Sequence, residues 1–402
     1  MKFYLPFILI SLFLMPAANS SAVQVIPKGY QKSQDNNDSQ ASDTHLTEQQ
    51  LTSHFKQAMK AYRSELRAYW PDAEVSSKTR LVLYSDNFQK KSAIDFKANE
   101  IQITMPSIHT GKVLNYRQMQ KNLNETLIEL LGTNLETAIS KDPINKKMES
   151  LSGIRYAHDL GGLGRDLLLS ELFKDERPSI KAIERMAKKL TKSAYIRYPA
   201  VASLNLSFAF NDRTTYIISL PEKRMRMKAK RYKSFIYEYA QNYNLPPSLI
   251  FSIIHAESSF NPLARSQIPA FGLMQIVPHS AGKDATHMLF NKSRVLSPSY
   301  LYNPRKNVQV GAAYLHILYY RYLRDIENPK SRLYCAIAAY NAGTSSVMRT
   351  LTGQSSISSS TNAINRMQPN DVLRKLVRQM PSSETRDYVN KVLSLQKSYG
   401  QL

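Results

Sequence analysis

Glu257 is an acid on the apolar side of a helical pattern, and that setting suggests a chemistry for it. The stretch from Pro246 to Glu257 opens with two prolines, which suit the first turn of a helix. Ile250, Ile253 and Ile254 precede Glu257 by seven, four and three positions, so helical spacing puts all four on one face. A carboxyl held among isoleucines resists ionisation and keeps its proton to higher pH. A donor available near neutral pH is what breaking a glycosidic bond requires at its leaving oxygen. The plainer alternative is a structural glutamate paired with Lys or Arg, since ion pairs also perturb carboxyl groups.

The blocks around this acid favour the chemical reading. After Glu257 come Ser258-Ser259-Phe260-Asn261-Pro262, then Ser266, then Gly272-Leu273-Met274-Gln275-Ile276, and later Ala338-Ala339-Tyr340-Asn341-Ala342-Gly343. Asn261-Pro262 should end the helix, because the residue before proline avoids helical geometry. Gly272 allows a tight turn that offers Met274 and Gln275 to a cleft. Gln275 could donate to and accept from amides. Met274 reads equally as core packing. Gly343 looks like a helix cap, which places Tyr340 near a helix end.

In order and spacing these blocks resemble the lytic transglycosylase domain of the lysozyme-like superfamily. Ser383-Glu384-Thr385-Arg386-Asp387-Tyr388-Val389 extends the likeness towards the end of the chain. Upstream, Leu81-Val82-Leu83-Tyr84-Ser85-Asp86, Ile94-Asp95-Phe96 and Ile101-Gln102-Ile103-Thr104 resemble the accessory domain of the membrane-bound lytic murein transglycosylase C family. The resemblance implies an α+β accessory domain followed by a mainly α, lysozyme-like (soluble lytic transglycosylase) domain. It also implies a peptidoglycan lytic transglycosylase, a carbon–oxygen lyase that cuts the β-1,4 bond between N-acetylmuramic acid and N-acetylglucosamine. By the same resemblance Glu257 is the catalytic acid, and Ser266, Met274, Gln275, Tyr340, Asn341, Glu384 and Tyr388 bind substrate along the cleft. Ser266 falls where the family holds the acetamido group or the acid. Pro269-Ala270-Phe271 departs from the glycine and alanine that many relatives carry there, which leaves fine subsite preference open.

A glycosidase ordinarily uses two carboxylates about 5–9.5 Å apart. After Glu257 the next acids are Asp284, Asp325, Glu327, Asp371 and Glu384, none of them inside the block that ends at Ile276. Glu384 is the best candidate for a partner brought close by folding. A solitary acid suggests instead that the substrate supplies the nucleophile. In lytic transglycosylases the 6-hydroxyl of N-acetylmuramic acid does so, closing a 1,6-anhydro ring, with the 2-acetamido oxygen assisting. Two alternatives stay open: a lysozyme-type muramidase that uses water, and a non-catalytic cell-wall-binding protein.

No cluster of His, Cys and carboxylate ligands is visible, so neither a metal nor another cofactor is expected. His255 lies two positions from Glu257, a spacing that does not face it. The single cysteine, Cys335, sits in an apolar helical stretch and reads as a small core residue. A net charge of +23 calls for a polyanionic environment. No nucleic-acid module is legible, so the acidic cell wall fits better, with cell-envelope proteins as further candidate partners for the accessory domain.

Lys2, the apolar run that follows and Ala17-Ala18 have the pattern of a signal peptide, 1–20, and imply export to the periplasm of a Gram-negative bacterium. Relatives of this kind are typically lipoproteins of the outer membrane, yet no cysteine follows the signal region to take a lipid. A flexible polar leader is expected over 21–45, the accessory domain over 46–222 and the catalytic domain over 223–402. Helical spacing covers 46–69, 119–135 and 180–190. Short strands are expected at 80–84, 93–96 and 100–104, and a closing hairpin at 204–210 and 215–220. Gly161-Gly162-Leu163-Gly164-Arg165 reads as a loop before a helical run at 167–173. The basic run 223–233 reads as a solvated helix entry, and the Ser-rich stretch 355–360 as a surface loop.

Overall fold

A computed structural model describes residues 47–110, 113–152, 164–197 and 213–402. The expected signal peptide and leader, the strand at 204–210 and Gly161-Gly162-Leu163 lie outside the described residues.

Helix α1 (Glu48–Arg67) begins with a capping box in which Thr47 and Gln50 satisfy each other's backbone N–H groups. Leu51, Phe55, Ala58, Tyr62 and Leu66 recur at helical spacing and are buried. Strands β1 (Arg80–Tyr84), β2 (Lys91–Asp95) and β3 (Glu100–Pro106) follow as an antiparallel meander, close to expectation. A small separate ladder pairs β4 (His109–Thr110) with β5 (Val113–Leu114). Helices α2 (Tyr116–Gly132), α3 (Leu135–Ser140), α4 (Pro143–Ser152) and α5 (Ile180–Ser193) come next, α2 packing on α5 and α4 on α1. Strands β6 (Tyr195–Arg197) and β7 (Arg213–Ser219) complete a five-stranded sheet in the order β1-β2-β3-β7-β6. β7 lies antiparallel to β3, with Ile103 opposite Tyr216.

The helical run expected at 167–173 is absent. Leu167 instead bridges Asn134, and only a 3₁₀ turn forms at Ser170–Leu172. Distant side chains satisfy this segment's carbonyls: Lys228 donates to that of Leu168, and Arg231 to those of Ser170 and Phe173. Glu171 is wholly buried between Arg224 Nη1 at 2.9 Å and Lys228 Nζ at 3.0 Å. Two cations of the basic run are therefore not solvated. A buried cation must be paired, and this triad fixes the loop to the helix that follows the sheet.

From there the chain is helix and loop, as expected. The helices are α6 (Arg224–Arg231), α7 (Lys233–Asn242), α8 (Pro247–Ser258), α9 (Ala281–Phe290), α10 (Pro298–Tyr302) and α11 (Pro304–His316), the last running on into a π-helical turn at Ile317–Tyr322. After them come α12 (Pro329–Ala342), α13 (Thr344–Thr352), α14 (Ile357–Asn365), α15 (Pro369–Gln379) and α16 (Ser383–Tyr399). α14 takes in most of the Ser-rich stretch read as a loop. Ser360, Thr361 and Ile364 point inward, and Ser360 hydrogen-bonds Thr352 at 2.9 Å. Hydroxyl groups that pair internally hide such a helix from a hydrophobicity pattern. Cys335 is buried as expected, and burial raises its thiol pKa to about 12.

The sheet part and the helical part share one apolar core. Phe55 of α1 meets Phe271 edge-on at 5.6 Å between ring centres. Nearby, buried Arg265 is paired with Asp142 just ahead of α4. The sheet part thus packs directly on the loop that carries the G-L-M-Q block.

Candidate active site

Helix α8 carries Glu257 on its last turn. Its apolar character extends all round: Leu249, Ile250, Phe251, Ile253 and Ile254 are all buried, with α7 and α16 packed alongside. Such a helix belongs in a core, and each fully buried isoleucine contributes about 1.5–3 kcal/mol. α8 stops at Ser258, before Asn261-Pro262 can break it. Ser259 and Phe260 turn the chain with φ of 51° and 62°, in the left-handed region. Asn261 then anchors the loop, accepting from the Leu263 N–H at 3.1 Å and donating to the Lys78 carbonyl at 3.2 Å.

The Glu257 side chain is 6% exposed. Burial raises its pKa to about 7, and Glu384 pushes in the same direction. Lys78, the Tyr388 hydroxyl and Lys391 pull the other way. The Tyr388 hydroxyl is buried facing the carboxyl, without a well-aligned hydrogen bond. The acid is therefore half protonated near neutrality, which is the state a proton donor needs.

The other expected site residues fall into two groups. Tyr340, Glu384 and Tyr388 all act electrostatically on Glu257 or are acted on by it. Tyr340 does not give its hydroxyl to the acid; it donates to the Met274 carbonyl at 2.9 Å. Glu384, in the first turn of α16, is open to solvent with its side chain 66% exposed, and it pairs with Lys78 Nζ at 2.9 Å. Asn341 accepts from Thr385 at 2.8 Å, tying α12 to the start of α16.

The remaining three lie in the loop after α8. The Ser266 hydroxyl is turned onto the Ile268 carbonyl of its own loop. Met274 is fully buried with its sulfur against Gly311, the open place on α11 where any larger residue would collide. Its side chain packs the core, so what it offers the site is its backbone. Gln275 has φ of 48° and donates to the Gly272 carbonyl at 3.1 Å, while its buried Oε1 has no hydrogen-bond partner among the described residues. That oxygen is an unused acceptor beside the loop.

Three residues invisible to motif reading organise this geometry. Asn307 of α11 is fully buried, accepts from the Met274 N–H and donates to the Phe271 and Leu301 carbonyls, each at 2.8 Å. It clamps the G-L-M-Q loop, and no local pattern marks it. Lys78, from the bend before β1, holds Glu384 with its ammonium and acts electrostatically on Glu257 from a distant part of the sequence. Lys391 sits one turn beyond Tyr388 on α16 and donates to the Ala256 carbonyl at 3.2 Å. Helical spacing from Glu384 and Tyr388 was the available signal for it. His255 is turned away, its Nδ1 2.9 Å from the Tyr399 hydroxyl, and burial lowers its pKa to about 4. Among the described residues no group of three His, Cys, Asp or Glu could hold a metal ion.

Comparison with known proteins bears on the whole chain. The Transglycosylase SLT domain matches residues 234–362, which include Glu257 and the G-L-M-Q and A-Y-N-A-G blocks. Membrane-bound lytic murein transglycosylase C of Pectobacterium atrosepticum is 34% identical over 318 residues, covering 79% of this chain and 82% of that protein. The Salmonella typhimurium protein of the same name is 31% identical over 355 residues, covering 87% and 90%. Among solved structures, an inactive mutant of lytic transglycosylase Slt from Pseudomonas aeruginosa aligns with a TM-score of 0.35 and 22% identity, over 69% of this chain and 37% of that one. With identity of 31–34% over most of this chain and of those proteins, the chain belongs to the membrane-bound lytic murein transglycosylase C family.

Proposed function

We propose that the protein is a peptidoglycan lytic transglycosylase in which Glu257 acts as both acid and base. Glu257 protonates the glycosidic oxygen between N-acetylmuramic acid and N-acetylglucosamine. As carboxylate it then takes the proton of the muramoyl 6-hydroxyl, which closes the 1,6-anhydro ring. The observation that carries this reading is the contrast between two acids. Glu257 is buried with its pKa raised to about 7, whereas Glu384 is exposed and held by Lys78. A second buried carboxylate to activate water is not what acts on Glu257. Ser266, Gln275, Asn341 and Tyr340 would shape the cleft.

Muropeptides released from purified sacculi should carry 1,6-anhydro-N-acetylmuramic acid ends, and no oxygen from labelled water should enter them. Glu384→Gln should leave this product unchanged. Reducing ends that incorporate labelled oxygen, and that vanish with Glu384→Gln, would instead establish a two-carboxylate muramidase.

The same reading includes an organisation: a signal peptide at 1–20, a leader at 21–45, an accessory domain at 46–222 and the catalytic domain at 223–402. Among the described residues no helix is long and apolar enough to cross a membrane. We propose a periplasmic location in a Gram-negative envelope, in keeping with the membrane-bound relatives.

A further inference from the structure

The bend before β1 is fixed against the candidate site at two points. The Lys78 carbonyl accepts from the side chain of Asn261, itself fully buried in the loop that follows Glu257. The Lys78 ammonium meets Glu384 of α16 at 2.9 Å. The ionisable groups that act on Glu257 come from three directions: Lys78 from the bend, Tyr340 from α12, and Glu384, Tyr388 and Lys391 from α16. The two cations are not equivalent. Lys391 gives a hydrogen bond to the Ala256 carbonyl, and burial followed by repulsion from Lys97 weakens its hold on its proton. Burial also works against the Lys78 ammonium, but Glu257 and Glu384 outweigh it and keep that group charged.

We infer that Lys78 is a positioning residue for the reaction: its ammonium stabilises the carboxylate left on Glu257 when the proton passes to the glycosidic oxygen. This rests on the proposed one-acid mechanism. In the first step the proton leaves Glu257 and the C1–O bond breaks with its electron pair going to the departing oxygen. The negative charge stays on Glu257, where the Lys78 ammonium, held on Glu384, acts on it electrostatically. In the second step the proton of the 6-hydroxyl returns to Glu257 and its oxygen bonds to C1. A cation at this point makes the buried acid a stronger donor without opening it to water. The sheet part thereby contributes directly to the chemistry of the helical part.

The test is the pH profile of turnover on glycan strands, measured with the full chain. Wild-type activity should fall as pH rises through about 7, where Glu257 loses its proton. Without the cation the carboxylate is less stable, so the proton is held to higher pH. Lys78→Met should therefore move this limb up by about one unit and lower kcat about tenfold, the small end of a nearby opposite charge's effect. Lys78→Arg should keep both values. Glu384→Gln removes a negative neighbour and leaves Lys78 facing Glu257 alone, so its limb should move down. A normally folded Lys78→Met protein whose limb stays in place would overturn the inference. If that variant does not fold, Lys78→Gln is measured in its place, and a limb that stays where the parent has it overturns the inference. A Glu257→Gln protein of wild-type activity would instead refute the one-acid mechanism itself.

Discussion

Replacing Glu257 by Gln should lower turnover on purified sacculi at least about 100-fold, the lower end of what loss of a general acid costs. The carboxamide has the same shape and fills the same buried place among Ile253, Ile254 and Tyr388. It has no proton to give to the glycosidic oxygen and no charge with which to take one back. Binding to sacculi should persist, because the rest of the cleft is untouched. The variant should also be no less stable than the parent, since a carboxyl whose pKa is raised by burial opposes folding at neutral pH and the uncharged carboxamide removes that cost. Sedimentation with sacculi, a denaturation midpoint and turnover together make the check. Near-normal turnover would remove Glu257 from the mechanism, and loss of binding in step with activity would point to a damaged cleft.

Gly272→Ala should be the most damaging small substitution near the site. Gly272 has φ of 77°, where a residue with a Cβ is strained by about 1–2 kcal/mol. A Cβ there would also stand 2.1 Å from the Leu301 carbonyl oxygen and 2.3 Å from Asn307 Nδ2. The first neighbour is backbone, and the second is the clamp that holds Phe271 and Met274, so neither can yield cheaply. A broken buried hydrogen bond adds about 1–3 kcal/mol. The denaturant midpoint should fall by the equivalent of roughly 2–5 kcal/mol, with the slope unchanged. Activity should fall further than the folded fraction, because the loop that sets Gln275 moves. A variant with parental midpoint and turnover would mean that the clamp does not hold this loop.

The contrast between these residues explains what could be read from sequence. The helix that carries Glu257 was legible because its apolar run, Ile250, Ile253 and Ile254 included, is local, whereas the groups that act on the acid come from the bend before β1, α12 and α16. The tight turn at Gly272 was legible because only glycine accepts that conformation without strain. Asn307, by contrast, looks like any polar residue near the start of a helix, and its meaning comes from carbonyls in the loop after α8 and in α10. Lys78 was out of reach for the same reason: its partners Asn261 and Glu384 lie far along the chain. Arg224 and Lys228 show how a charge run misleads. Their four-residue spacing puts them on one helix face, but only the distant Glu171 makes that face buried. The misread segments at 167–173 and 355–360 failed alike, since polar partners rather than apolar periodicity decide their backbone.

The pairing of β7 with β3 has a consequence for how the chain is made. As the polypeptide leaves the ribosome, α1 and the first three strands emerge early, but β3 presents an unpaired edge until Arg213–Ser219 appears. Phe55 must wait longer still, since its ring partner Phe271 is synthesised only after Glu257. The amino-terminal part therefore carries an open strand edge and an uncovered aromatic side chain through much of synthesis, the two features that invite misassembly. Whatever shields that edge and that ring must therefore do so until the residues that cover them, Arg213–Ser219 and Phe271, have been made.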